Sequence, residues 1–245
     1  QVYRLLLQLS MDTIISGLKQ GITLFISGDP ALWGIILLSL RMSGIALVIS
    51  GGIGIPTGAL IGLIKFPGRR MIQAMVYTGM GLPPVVVGLA VYIFLSNQGV
   101  FGPARHAWFP RLFTISAMIL AQVIIACPLI IGFTMSAVGE VSPELLLQVR
   151  SLGANRLQLF GVIIREARRG VLVALIGGLG SIISEVGAVM LVGGNIEGST
   201  RVMTTAIMLE TRRGNFDLAI GLGFVLLTIA FLINLAAAQL QGKGR

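Results

Sequence analysis

The 245 residues carry 18 Lys and Arg against 9 Asp and Glu, a net charge of +9, yet only 11% are charged while 55% are hydrophobic, with mean hydropathy +0.94. A water-soluble domain has about 25% charged residues, so composition excludes one and points to an all-α, multi-pass membrane protein. The basic residues sit at the ends of apolar runs, as positive-inside loops do, and no nucleic-acid partner is expected.

Catalytic chemistry is equally thin. Cys127 lies inside an apolar run and His106 in a Gly/Pro-containing loop, and they are the chain's one cysteine and one histidine. A metal-dependent membrane enzyme needs clustered His, Cys or carboxylates. No metal, no cofactor and no disulfide are therefore expected.

The N-terminus lacks a basic, apolar and small-residue cleavage pattern, so no signal peptide is expected, and residues 1–10 carry no functional weight. Residues 11–28 are short and polar for a span. Ile14, Ile15, Leu18, Ile22, Phe25 and Ile26 recur at helical spacing, which predicts an amphipathic helix lying in the membrane interface. A short sixth span is the alternative.

A span needs about 20 apolar residues. Five segments qualify, at roughly 31–64, 71–96, 112–137, 171–193 and 215–240, within a membrane domain of residues 29–240. The first contains Gly51-Gly52-Ile53-Gly54-Ile55-Pro56 and is expected to bend or end there. The second contains Leu82-Pro83-Pro84, where lost backbone bonds predict a kink. Two charges fall inside apolar runs, Arg41 and Glu185. Such charges are costly and usually paired or functional, and a pair between them, within or across subunits, is one expectation. The other has Arg41 reaching the interface and Glu185 facing a watery cavity.

Five spans put the termini on opposite sides. Lys65, Arg69, Arg70, Arg150, Arg156, Arg165, Arg168, Arg169, Lys243 and Arg245 then share one side, ten basic residues against seven on the other. That side is read as cytoplasmic, with the N-terminus outside and residues 241–245 a cytoplasmic tail.

The loop 138–170 is the polar exception. Ser142-Pro143-Glu144 is a helix start, with a hydroxyl cap, proline at the first position and an acid in the first turn. Leu145, Val149 and Leu152 share a face, Gly153 ends the helix, and Asn155 with Gln158 caps a second one. Leu157, Phe160, Ile163 and Ile164 form its apolar stripe. Two short helices joined near Gly153 make a knob suited to a groove on a peripheral protein, with apolar anchors and a basic rim. A solvated hairpin resting on the membrane is the competing reading.

This loop resembles that of ABC-importer permeases, whose pattern is Glu-Ala-Ala, three residues, Gly, nine residues, Ile-x-Leu-Pro. Gly153 and Ile163 occupy matching positions, with Leu152 and Ala154 as typical neighbours. Leu147, Gln148 and Val149 stand at Glu-Ala-Ala, and Arg165-Glu166 at Leu-Pro. Leu38-Ser39-Leu40-Arg41, Phe66-Pro67-Gly68-Arg69-Arg70 and Gly81-Leu82-Pro83-Pro84-Val85-Val86-Val87-Gly88 resemble successive blocks of molybdate/tungstate-type permeases. The run from Ser184-Glu185-Val186-Gly187 to Gly193-Gly194-Asn195-Ile196, continuing through Thr200–Ile207 to Leu209-Glu210-Thr211, is similar to the tungstate branch. An arginine that molybdate relatives tend to carry near Ser181 is absent. The resemblance spans roughly residues 29–240.

The resemblance implies a type I permease fold and a homodimer in a prokaryotic cytoplasmic membrane. Two cytoplasmic subunits would bind ATP and Mg, and an external protein would bind tungstate or molybdate. ATPase closure would drive alternating access through Glu144, Leu145, Val149, Leu152, Gly153, Ala154, Leu157, Phe160 and Ile163. No Gly-x-x-x-x-Gly-Lys-Ser/Thr loop occurs in the chain, so hydrolysis belongs to the partner and the chain is a non-catalytic subunit. For a tetrahedral dianion, the candidate path or gate is Arg41, Ser184, Glu185, Gly187, Gly193, Gly194 and Asn195, with backbone amides suited to an anion. Helix packing through small residues is the competing explanation for the glycines. A secondary transporter or channel for a small anion is the alternative function, although no internal inverted repeat supports it.

Overall fold

The computed structural model describes residues 15–19, 21–23, 25–99 and 109–242, and these fold into helices with no strand among them. His106 and residue 14 lie outside the described residues.

Helix α1 is Pro30–Leu63. Asp29 caps it by accepting the Leu32 N–H at 2.9 Å, with Pro30 at the first helical position. At 1.5 Å per residue it is about 51 Å long, more than one crossing requires. The end expected at Gly51–Pro56 does not occur, because the helix continues through Pro56. Its companion explains why. Helix α4, Ile115–Gly139, forms the most extensive pairing with α1, and Gly54, Gly58 and Gly62 line the contact. A Cβ on Gly58 would lie 2.5 Å from the Ile131 carbonyl oxygen, and one on Gly54 2.8 Å from Ile130 Cγ2. Small residues at four-residue spacing let the backbones touch, and that contact supports α1 on both sides of its proline.

The second apolar run is broken more sharply than a kink. Helices α2, Arg69–Met80, and α3, Pro84–Leu95, meet at 99°. Pro83 and Pro84 have no N–H to donate, and each disfavours helical geometry in the residue before it. Pro83 is accordingly extended, with ψ 122.

Helices α5, Pro143–Ser151, and α6, Arg156–Glu166, form the loop after α4. Helix α7 is Arg168–Ser184 and α8 is Gly187–Gly193. The two bend by 57° at Glu185-Val186, so the fourth run is also a broken span. Helix α9, Met203–Arg213, and helix α10, Phe216–Gly242, complete the chain. Three unbroken helices and two bent pairs give up to five spans, in agreement with the five runs.

Helix α4 is the hub, touching α1, α2, α3, α7 and α8. Its Ala117, Met118, Ala121, Ala126 and Ile130 are fully buried. Leu37, Val48, Leu227 and Phe231 instead face outwards, as lipid-facing side chains do. The helical residues between 15 and 26 pack on α10 by a glycine edge. A Cβ on Gly21 would sit 2.7 Å from Gly221 Cα, and Ser16 Oγ donates to Asp217 Oδ1 at 2.7 Å. Ile22, Phe25 and Ile26 remain exposed.

Candidate functional site

The knob after α4 follows from its capping residues. Ser142 Oγ accepts the Leu145 N–H at 3.2 Å, and Glu144 stands in the first turn of α5. Gly153 adopts φ +83 with nothing near its missing Cβ, so backbone conformation, not space, requires glycine there. Its turn lets the Ala154 N–H reach the Val149 carbonyl. Asn155 and Gln158 then exchange two hydrogen bonds of 2.9 Å, closing a reciprocal capping box at the start of α6.

The side chains of the knob divide into a root and a tip. Ile163 is fully buried with Ala59, Val138, Ala167 and Val171, and Leu146, Phe160 and Ile164 pack against that cluster. These residues fasten the knob to α1, α4 and α7. Leu145, Val149 and Ala154 are half-buried. Leu152 and Leu157 are 85% and 83% exposed, and Leu147 is 65% exposed. Leu147 was not among the expected contact residues because it lies off the Leu145–Leu152 stripe. Arg150 and Arg156, on either side of the Gly153 turn, are exposed cations next to the tip in sequence, and Arg165 is exposed in the last turn of α6.

The residues expected to line a path lie at the bend of the fourth span. Glu185 is buried, and its Oε1 accepts the Ala188 N–H at 2.8 Å. Its backbone carbonyl accepts the Thr204 hydroxyl at 3.0 Å. Arg41 is exposed on α1, and the expected salt bridge with Glu185 does not form within this chain. The carboxylate instead satisfies an amide freed by the helix break. Ser184 is exposed, and its Oγ donates to the Gly180 carbonyl at 2.8 Å.

The glycines serve close packing. A Cβ on Gly187 would lie 2.6 Å from Val85, one on Gly193 2.7 Å from Met118, and one on Gly194 2.7 Å from Phe113. Beyond them the chain turns through Gly194 and Asn195, both at positive φ. The turn is fixed by buried Thr200, whose Oγ donates to the Gly193 carbonyl at 2.6 Å and accepts the Ile196 N–H at 2.9 Å. Asn195 Oδ1 is buried without a hydrogen bond.

Three polar positions at this bend are not among the expected site residues. Ser39 on α1 caps α9 by accepting the Met203 N–H at 2.9 Å, while its own hydroxyl donates to the Ile35 carbonyl. Gln122 on α4 is fully buried and donates through Nε2 to the Ile182 carbonyl at 3.2 Å. Ser43 on α1 is buried beside it. Their signal in sequence is a polar residue at a core position of an apolar helix. A separate space of about 590 Å³ lies at the elbow between α2 and α3, lined by Gly81, Leu82, Pro83, Pro84 and Ser181 among others.

Residues 54–243 match the family of binding-protein-dependent transport system inner membrane components. The chain is similar to the tungstate uptake system permease protein of Peptoclostridium acidaminophilum, at 38% identity over 94% of this chain and 99% of that one. It is also similar to the molybdenum transport system permease protein of Escherichia coli K12, at 30% identity over 73% of this chain and 79% of that one. Its fold resembles a bacterial ABC transporter involved in the import of the acidic polysaccharide alginate, with TM-score 0.71, 22% identity, and coverage of 91% of this chain and 82% of that chain.

Proposed function

The chain belongs to the binding-protein-dependent transport system inner membrane components, and from that premise we propose that it is the membrane subunit of an ATP-driven importer carrying tungstate or molybdate into the cytoplasm. The observation that carries this reading is 38% identity to a tungstate permease over nearly the full length of both chains. The subunit is non-catalytic. ATP and Mg bind to separate cytoplasmic subunits, and an extracytoplasmic protein delivers the oxyanion.

The knob is the seat of the ATPase. Leu147, Leu152 and Leu157 supply an apolar tip left largely exposed by the described residues, and the arginines of the knob orient it. Ile163 and Phe160 root the tip in α1, α4 and α7, so displacement of the tip reaches the spans as a rigid movement. The permease domain is residues 29–240, with 11–28 an elbow segment at its membrane boundary. The subunit works as a homodimer in lipid, N-terminus outside and C-terminus cytoplasmic.

The path follows the two helix breaks. Ser181 stands at the elbow of the second span, and the bend at Glu185 lies in the fourth. Weak polar contacts suit a dianion that must be released, so selectivity resides chiefly in the external protein.

The test is reconstitution of this chain in proteoliposomes with its ATPase and binding protein. Tungstate uptake is expected only with all three components and ATP, with molybdate competing. Uptake that persists without the ATPase overturns the reading in favour of a secondary transporter or channel.

A further inference from the structure

The bend of the fourth span adjoins a narrow cavity between α1, α4, α7, α9 and α10, lined by Ser43, Gln122, Glu185, Met42 and Met203 among others. Gln122 is 1% exposed. Its Nε2 donates to the Ile182 carbonyl, which fixes the orientation of the amide, and its Oε1 is buried with no hydrogen-bond partner. An unpartnered buried acceptor carries its full desolvation cost, and interior polar atoms are nearly always satisfied.

We propose that this cavity binds one water molecule, held by Ser43, Gln122 and Glu185. The cavity has room for about one water. Buried waters make about three hydrogen bonds, and these three side chains supply complementary groups. The water donates one hydrogen to Gln122 Oε1 and the other to the Glu185 carboxylate, whose Oε1 also holds the Ala188 N–H. It accepts the Ser43 hydroxyl hydrogen. A metal cation fits less well, since hard cations take six or more oxygen ligands and the lining includes Val202, Leu226 and Ile229. The bound water joins α1 and α4 to the residue at which the fourth span bends.

Met42 and Met203 make the water observable. They are 2% and 1% exposed, so solvent does not reach them directly, yet both line the cavity. Met118 is 0% exposed and lies outside that lining. Hydroxyl-radical footprinting by water radiolysis, on the full chain in lipid nanodiscs, is expected to oxidise Met42 and Met203 several-fold above Met118. Ser43→Val, which fills the cavity and removes a partner, is expected to bring both down to the Met118 level. The proposal is overturned if Met42 and Met203 in the unaltered protein are as protected as Met118. It is also overturned if all three oxidise alike, or if folded Ser43→Val protein keeps the labelling. Should Ser43→Val fail to fold, the unaltered protein decides by itself.

Discussion

The Glu185 carboxylate accepts the Ala188 N–H at 2.8 Å across the bend between α7 and α8. An acid that sequence alone marks as an ion-pair candidate is thus engaged by its own backbone. The cap needs an acceptor oxygen more than a charge. Glu185→Gln is therefore expected to retain the fold, whereas Glu185→Ala loses the cap at a cost of about 1 kcal/mol or more. Thermal unfolding in detergent separates the two. Equal destabilisation by both changes would show that charge, not capping, is the requirement.

The glycine row of α1 sets a second expectation. Gly58 lies where a Cβ would be 2.5 Å from a backbone oxygen of α4, while Gly52 has nothing within 4 Å. Gly58→Val is expected to force α1 and α4 apart, at a cost of about 1–3 kcal/mol or more. Gly52→Ala is expected to be neutral, or stabilising by about 0.5–1 kcal/mol through helix propensity. Thermal unfolding of the two variants in parallel tests the contrast, and similar losses from both would refute it.

At the knob, Leu152 and Leu157 are expected to matter for assembly and not for folding. Leu152→Ser with Leu157→Ser should leave the unfolding temperature unchanged, because both side chains are more than four-fifths exposed among the described residues. Truncating central apolar anchors costs an interface about 1–2 kcal/mol each, so ATPase co-purification should fall by about ten-fold or more. Ile163→Ala should do the reverse first and destabilise the chain itself, by about 2–5 kcal/mol. If the double serine variant binds the ATPase normally, the tip is not the seat.

The limits of sequence reading follow from the range of each interaction. The caps at Ser142 and Asn155 and the turn at Gly153 lie within a few residues of their partners, so the knob was legible in outline. The division into tip and root was not, since Ile163 is buried by residues of α1 and α4 far away in sequence. Pro56 suggested a helix end, and the four-residue glycine spacing that overrides it needs α4 to be meaningful. The bend at Glu185-Val186 contains no proline. Its support comes from Gln122 and Thr204, which come from two other helices. A pair of Arg41 with Glu185 within one chain rests on charge alone, and there the backbone offers the carboxylate a nearer partner.

The turn after α8 gives the last prediction. Thr200 is fully buried, and its hydroxyl both donates to Gly193 and accepts from Ile196. Thr200→Val keeps the volume and the branched shape but removes both bonds, leaving the buried Gly193 carbonyl and the part-buried Ile196 amide without that partner. The cost expected is about 1–3 kcal/mol, confined to residues 193–202 if the turn opens locally. Hydrogen exchange should then show faster exchange at the Ile196 amide, with the core of α4 unchanged. Thr200→Ser, which keeps the hydroxyl, should retain protection there. Equal loss in the serine variant would assign the role of Thr200 to its methyl group and not to the hydrogen bonds.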